Sequence, residues 1–216
     1  MIRATRRDVL AVMGTLAAAL VATSTTRRSF ADELDAALAE VVRARAGLKT
    51  LVGPFTQERT IGLLAAKVRS TGTLTLVRPD RLRWELAAPD SVVYWVGPDG
   101  VAYKSARGHG RMPAGQGKLA AALDDVRVLL GGDLARLRAR YDLRVLSRGL
   151  EGIAFEATPR QGAGSSLEKL TFALDKDRVR PTHAILVEGP RDRTEIVFGA
   201  LERDVNVDPA WIRPPD

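Results

Sequence analysis

The chain has 216 residues, 45% of them hydrophobic, and it contains no cysteine. The missing thiols exclude disulfides, cysteine-based metal sites and a lipid anchor on an N-terminal cysteine. The formal net charge is +7, but residues 1–31 hold five arginines and one aspartate, so the remainder stands near +3 with acids and bases interleaved. That balance argues against nucleic acid as a partner.

Residues 1–31 read as an export signal cleaved near Ala31, with a twin-arginine-like Thr5-Arg6-Arg7-Asp8-Val9-Leu10. The apolar stretch Val9 to Ala22 is too short for a comfortable membrane span, and Ser29-Phe30-Ala31 places small residues at a cleavage site. The same pattern also fits a Sec signal with a chance arginine pair, or an uncleaved anchor. Residues 32–216 are expected to form a single domain, of a length that supports one core.

A helix is expected over Asp32 to Lys49, with Leu34, Leu38, Val41 and Leu48 at helical spacing, acids at its start, and Gly53-Pro54 as its stop. The stretch from Phe55 to Lys104 then reads as successive strands. Leu74 and Leu76 alternate with threonines. Leu82, Trp84 and Leu86 alternate with Arg81, Arg83 and Glu85, so the arginines are expected on a wet face. Arg78-Pro79 separates these two strands. Val92 to Val96 is apolar throughout, and Gly97-Pro98-Asp99-Gly100 turns the chain back.

Ser105 to Gly117 is rich in glycine and is expected to be a mobile loop. Lys118 to Leu130 reads as a second helix with an apolar stripe of Leu119, Leu123, Val126 and Leu130. Asp133 is placed to cap a short third helix. Further strands follow around Tyr141–Val145, Ile153–Ala157, Leu170–Leu174, His183–Val187 and Thr194–Phe198.

Within this order, Phe55-Thr56-Gln57, the Gly-x-Leu-x-Leu strand at Gly72, Arg78-Pro79, Arg83-Trp84, Pro89 and the Asp99-Gly100 turn resemble the LolA family, as does the closing Trp211 and Pro214-Pro215 segment. That resemblance implies an α+β, mainly β fold: a strongly curved antiparallel sheet, an incomplete barrel, with helices across its open side. It implies a periplasmic carrier that holds the acyl chains of lipoproteins and takes them from an inner-membrane lipoprotein-releasing complex to an outer-membrane acceptor. An envelope sensor of the same half-barrel fold, or a carrier of another lipid such as a glycolipid, remains the alternative. No cofactor and no metal are implied, and a monomer is expected.

No catalytic grouping emerges. His109 and His183 lack metal spacing, no Gly-x-Ser-x-Gly elbow occurs, and Asp124 and Asp125 are helix neighbours that point about 100° apart. The candidate cavity lining is Leu74, Leu76, Leu82, Trp84, Leu86, Tyr94, Leu170, Phe172, Ile185 and Phe198. Alternation does not distinguish a packed interior from an empty one, and residues of this kind are more often plain core; the family resemblance is what makes them a cavity lining. Leu82 stands where the family often has an aromatic, and Lys104-Ser105-Ala106-Arg107 departs from the family pattern. The resemblance makes Arg78 a latch that hydrogen-bonds toward the lid helices; without it, Arg78 is a solvated charge before a turn.

Overall fold

The computed structural model describes residues 30–114, 116–131, 133–162, 165 and 167–215. Residues 1–29 of the expected export signal lie outside the described residues. The helix α1, Phe30–Ala44, comes first. Acids at its first turn suit the helix dipole, and Ala37, Leu38 and Val41 form its buried stripe. It ends five residues earlier than its periodicity predicts, and the chain turns at Arg45.

Six strands follow as a meander: β1 (Thr50–Ile61), β2 (Ala66–Val77), β3 (Arg81–Leu86), β4 (Val92–Gly97), β5 (Gly100–Ser105) and β6 (Gly108–Pro113). Two elements differ from expectation. Gly53-Pro54 does not end a helix but lies inside β1. Pro54 sits at the step where the neighbour of β1 changes from one strand to another, so its missing amide breaks no run of ladder bonds. The glycine-rich segment expected as a loop is β6, paired with β5 from Gly100↔Pro113 to Ser105↔Gly108. Backbone hydrogen bonding there overrides the weak strand preference of glycine.

The helices α2 (Lys118–Gly131) and α3 (Leu134–Arg140) come next. Asp133 caps α3, accepting from the Arg136 amide at 3.0 Å. A second meander runs through β7 (Tyr141–Gly149), β8 (Gly152–Pro159), β9 (Lys169–Asp175), β10 (Pro181–Val187) and β11 (Arg193–Phe198). The short β12 (Glu202–Arg203) and α4 (Pro209–Ile212) close the chain.

All strands pair antiparallel in one sheet of order β6-β5-β4-β3-β2-β1-β11-β10-β9-β8-β7, with β12 on β1. β6 and β7 do not pair, so the barrel stays open. Those two edge strands are consecutive in the chain apart from α2 and α3, which places the helices between the lips of the sheet. α2 packs on β2, β4 and β5, and α1 on β7.

The core lies on the concave face. Phe55 stands opposite Gly72, and its ring centroid is 3.9 Å from that of Trp84. A Cβ at Gly72 would lie 2.5 Å from the Phe55 ring and 2.1 Å from the Glu85 carbonyl oxygen. Glycine is therefore required there for the aromatic layer to close. Phe155 stacks on Phe172 at 5.1 Å in the other half.

The convex face is not uniformly wet. Arg83, expected in solvent, is buried between Trp95 and Trp211, whose ring centroids lie 5.8 and 4.0 Å from its guanidinium carbon. The Trp95 indole donates to the Trp211 carbonyl at 3.2 Å, and Arg83 pairs with Glu85 at 2.6 Å. The C-terminal α4 thus straps the outer face of β3 and β4.

Candidate functional site

Between the concave face and α2 lies a cavity of about 670 Å³. That size suits a small apolar ligand. The sheet supplies Val68, Trp84, Leu86, Val92, Tyr94, Leu186 and Ile196; α2 supplies Leu119, Ala122, Leu123 and Val126. The charged residues in its lining are Arg59, Asp90, Lys118, Glu188 and Asp192. Burial pushes the Tyr94 phenol up, and Asp90 acts in the same direction. The chamber is thus apolar, with a few charged groups in its wall.

The ten apolar residues singled out from the sequence divide into three groups. Trp84, Leu86 and Tyr94 line this cavity. Leu74, Leu76, Leu82, Leu170, Phe172 and Phe198 are buried in the packed core, with Phe198 edge-on to Trp84 at 6.3 Å. Ile185 lies on the opposite face, across from Glu195 and Thr171, so its expected inward orientation is corrected. Both alternating sets of β10 contain apolar residues, and periodicity cannot choose between them. The register with β11 sets buried Ala184 opposite buried Ile196 and leaves the His183–Ile185–Val187 set outward, where His183 meets Glu195 at 2.8 Å.

Gln57 of the family-like Phe55-Thr56-Gln57 motif lines the cavity, as do Arg59 and Ile61. The apolar stripe of α2 was the available signal for Leu119, Leu123 and Val126. Nothing in the sequence distinguished which inward residues face empty space.

Arg78 donates from its guanidinium to the carbonyl oxygen of Arg45, just past the end of α1. It reaches one carbonyl. The residue that gathers two is Arg45 itself, which is only 2% exposed. Its Nη1 donates to the Leu129 carbonyl of α2 at 2.7 Å, and its Nε and Nη2 donate to the Val179 carbonyl at 3.1 and 2.8 Å. A planar guanidinium suits this, because its donors diverge at fixed angles. Burial, aided by the neighbouring Arg78, pulls Arg45 down to about 10, so it stays charged at neutral pH. Sequence reasoning missed Arg45 because the helix was extended through it. Arg127, also buried, ties α2 to the turn after Arg78 by donating to the Asp80 carbonyl at 3.3 Å.

A second polar cluster fixes α2 to β7. The Tyr141 hydroxyl donates to Asp125 Oδ2, and Arg140 Nη1 lies 2.7 Å from Asp125 Oδ1. Asp124 pairs instead with Arg127, Arg136 and Arg140. The two aspartates share Arg140 but otherwise serve different partners, Asp125 the Tyr141 hydroxyl and Asp124 the guanidinium groups of Arg127 and Arg136. Among the described residues no group of three or more metal-ligating side chains occurs, and no helix is long and apolar enough to cross a membrane.

The family model described as outer membrane lipoprotein carrier protein LolA matches residues 46–96. That span runs from the turn after α1 through β4 and includes Arg78, Trp84 and Tyr94. An outer-membrane lipoprotein carrier protein of Xylella fastidiosa is 30% identical over 165 residues, covering 73% of each chain. Among solved structures, a DUF1329 family protein from Desulfovibrio piger aligns with a TM-score of 0.51 at 12% identity, covering 83% of this chain and 96% of that one. A LolA superfamily protein from Nitrosomonas europaea aligns at 0.42 and 10% identity, covering 80% and 94%. Likeness at such identities concerns the fold alone. The relationship rests on the Xylella carrier, with which the sequence motifs and the open half-barrel agree: the chain belongs to the LolA family of outer-membrane lipoprotein carrier proteins, a family of carriers rather than enzymes.

Proposed function

We propose that this protein is a periplasmic carrier that takes the acyl chains of lipoproteins into the cavity under α2. It receives them from an inner-membrane lipoprotein-releasing complex and hands them to an outer-membrane acceptor. Residues 1–31 direct its export, residues 32–216 form the carrier domain, and it acts as a monomer without a cofactor. The observation that carries this reading is the apolar cavity of about 670 Å³, walled by one helix, in a chain of a carrier family.

Physical chemistry makes the role necessary. An exposed acyl chain costs about 0.8 kcal/mol per methylene, so a sixteen-carbon chain costs on the order of 12 kcal/mol in water. A carrier that works without an energy source must hold such a chain reversibly. A lid fastened by a few hydrogen bonds meets that need, because cargo entry offsets their loss. Arg78 and Arg45 are the fastening. Trp84, Leu86 and Tyr94 receive the chain from the sheet side, and the buried leucines and phenylalanines behind them support that wall.

The test is mass spectrometry of organic extracts from the protein purified from its native envelope without detergent. Acylated polypeptide in near-stoichiometric amount is expected. Free lipid alone would replace the lipoprotein cargo with another lipid. Absence of any acyl species, with a retained protein partner, would overturn the carrier reading.

A further inference from the structure

Leu63 and Leu64 form the apex of a 3-10 turn, Gly62–Leu64, between β1 and β2, and they are 95% and 67% exposed. The turn is held in place. The Gly62 amide donates to Asp192 Oδ1 at 2.9 Å, and the Ala65 amide donates to the Gly62 carbonyl at 3.3 Å. Arg191 lies so close that a Cβ on Gly62 would fall 2.1 Å from its Cβ. Leu63 also lines the cavity, together with Arg59 and with Leu119 at the start of α2, which is itself exposed. An apolar tip, a set of cations (Arg59, Lys67 and Arg191) and one side of the cavity therefore share this end of the molecule.

We propose that this tip inserts into the headgroup layer of an anionic bilayer and seats the cavity against the membrane, so that an acyl chain passes between bilayer and cavity without crossing water. Two leucines at the apex of a convex turn present too little area for a stable protein interface, which buries more than about 1,000 Å². Aliphatic tips flanked by lysine and arginine suit shallow insertion among anionic headgroups. The local balance is positive: Arg59, Lys67, Arg69 and Arg191 stand against the carboxylates of Glu58, Glu188 and Asp192. The purpose of the contact rests on the carrier reading, but its test needs no cargo.

The experiment is co-sedimentation of the envelope-purified protein with vesicles, comparing phosphatidylethanolamine–phosphatidylglycerol with phosphatidylcholine alone at low salt. Binding to the anionic vesicles is expected to be at least about tenfold tighter and to weaken as salt rises. The double variant Leu63→Asp/Leu64→Asp is expected to lose that binding by about tenfold or more while its thermal midpoint is unchanged, because neither side chain contributes to the core. Wild-type protein that ignores anionic vesicles, or a variant that binds them equally, overturns the proposal. Leucine-dependent capture of a membrane protein without vesicle binding assigns the tip to a protein partner and overturns it as well. Acyl species in the organic extract alongside absent vesicle binding would leave the carrier standing and remove only this step.

Discussion

The guanidinium of Arg45, just past the end of the first helix, donates a 2.7 Å hydrogen bond to the main-chain carbonyl of Leu129 in the second. Its other donors hold the Val179 carbonyl in the turn between β9 and β10. One buried cation thus couples both lid helices to the far half of the sheet. Arg45→Met keeps the bulk and removes the donors. The carbonyls left without partners are expected to cost about 2–4 kcal/mol, read from the urea midpoint, even after the charge desolvation is recovered. Amide exchange in α2 should accelerate. Arg45→Lys should not restore it, because one ammonium lacks the divergent planar donors.

Arg78→Leu removes a single bond to the Arg45 carbonyl and leaves the Arg45 fan in place. The expected stability loss is about 1 kcal/mol. Since that bond exists in the closed state, losing it favours the open, loaded state by the same amount. An apolar fluorescent probe should bind about fivefold more tightly and leave more slowly. Equal binding and release in variant and wild type would remove Arg78 from the latch.

Ala122 faces the cavity from α2, and Ala122→Trp fills part of it. Probe uptake should fall by about tenfold, with a stability cost of no more than about 1–3 kcal/mol from overpacking. Leu76→Trp, placed in the packed core instead, should lower stability more than uptake. The contrast between the two separates a true chamber from loose core.

Burial raises the Asp125 carboxyl to about 6, against the opposing pull of the Tyr141 hydroxyl and Arg140. The folded state therefore holds this proton more tightly than the unfolded chain does. Its contribution to stability is greatest in acid and is lost as pH rises through about 6, by up to about 1.4 kcal/mol per pH unit in the window. The carboxylates of Glu40, Glu58, Asp177 and Glu195 are lowered, so their own effect falls below the ordinary carboxylate range. Urea midpoints compared at about pH 5 and pH 7 should decline in the wild type and stay nearly level in Asp125→Asn.

The strand periodicities of Leu74–Leu76, Leu82–Leu86 and Tyr141–Val145 were legible because one face of each strand is apolar and the other polar. β6 was not, since its Gly-His-Gly-Arg-Met-Pro sequence carries no alternation and its strand is made by pairing to β5. The outer strap was also hidden. Arg83 reads as a surface charge until Trp211, 128 residues later, stacks over it. Trp84 and Leu76 show the remaining limit. Both alternate inward, yet the former meets a cavity and the latter meets other side chains, a distinction that depends on where α2 lies above them.

The topology also bounds what the carrier can hold. β6 and β7 form the two lips of the open sheet, and the segment bearing α2 and α3 joins one to the other as continuous polypeptide. Breaking the arginine contacts frees the lid from its catches but leaves it leashed at both ends. The fourteen-residue α2 supplies about 21 Å of this tether, α3 and the flanking segments supply the rest, and the lips part only as far as the whole reaches. Capacity is therefore capped by covalent chain length: cargo series of increasing bulk should reach a sharp ceiling, which lengthening the segments flanking α2 would raise.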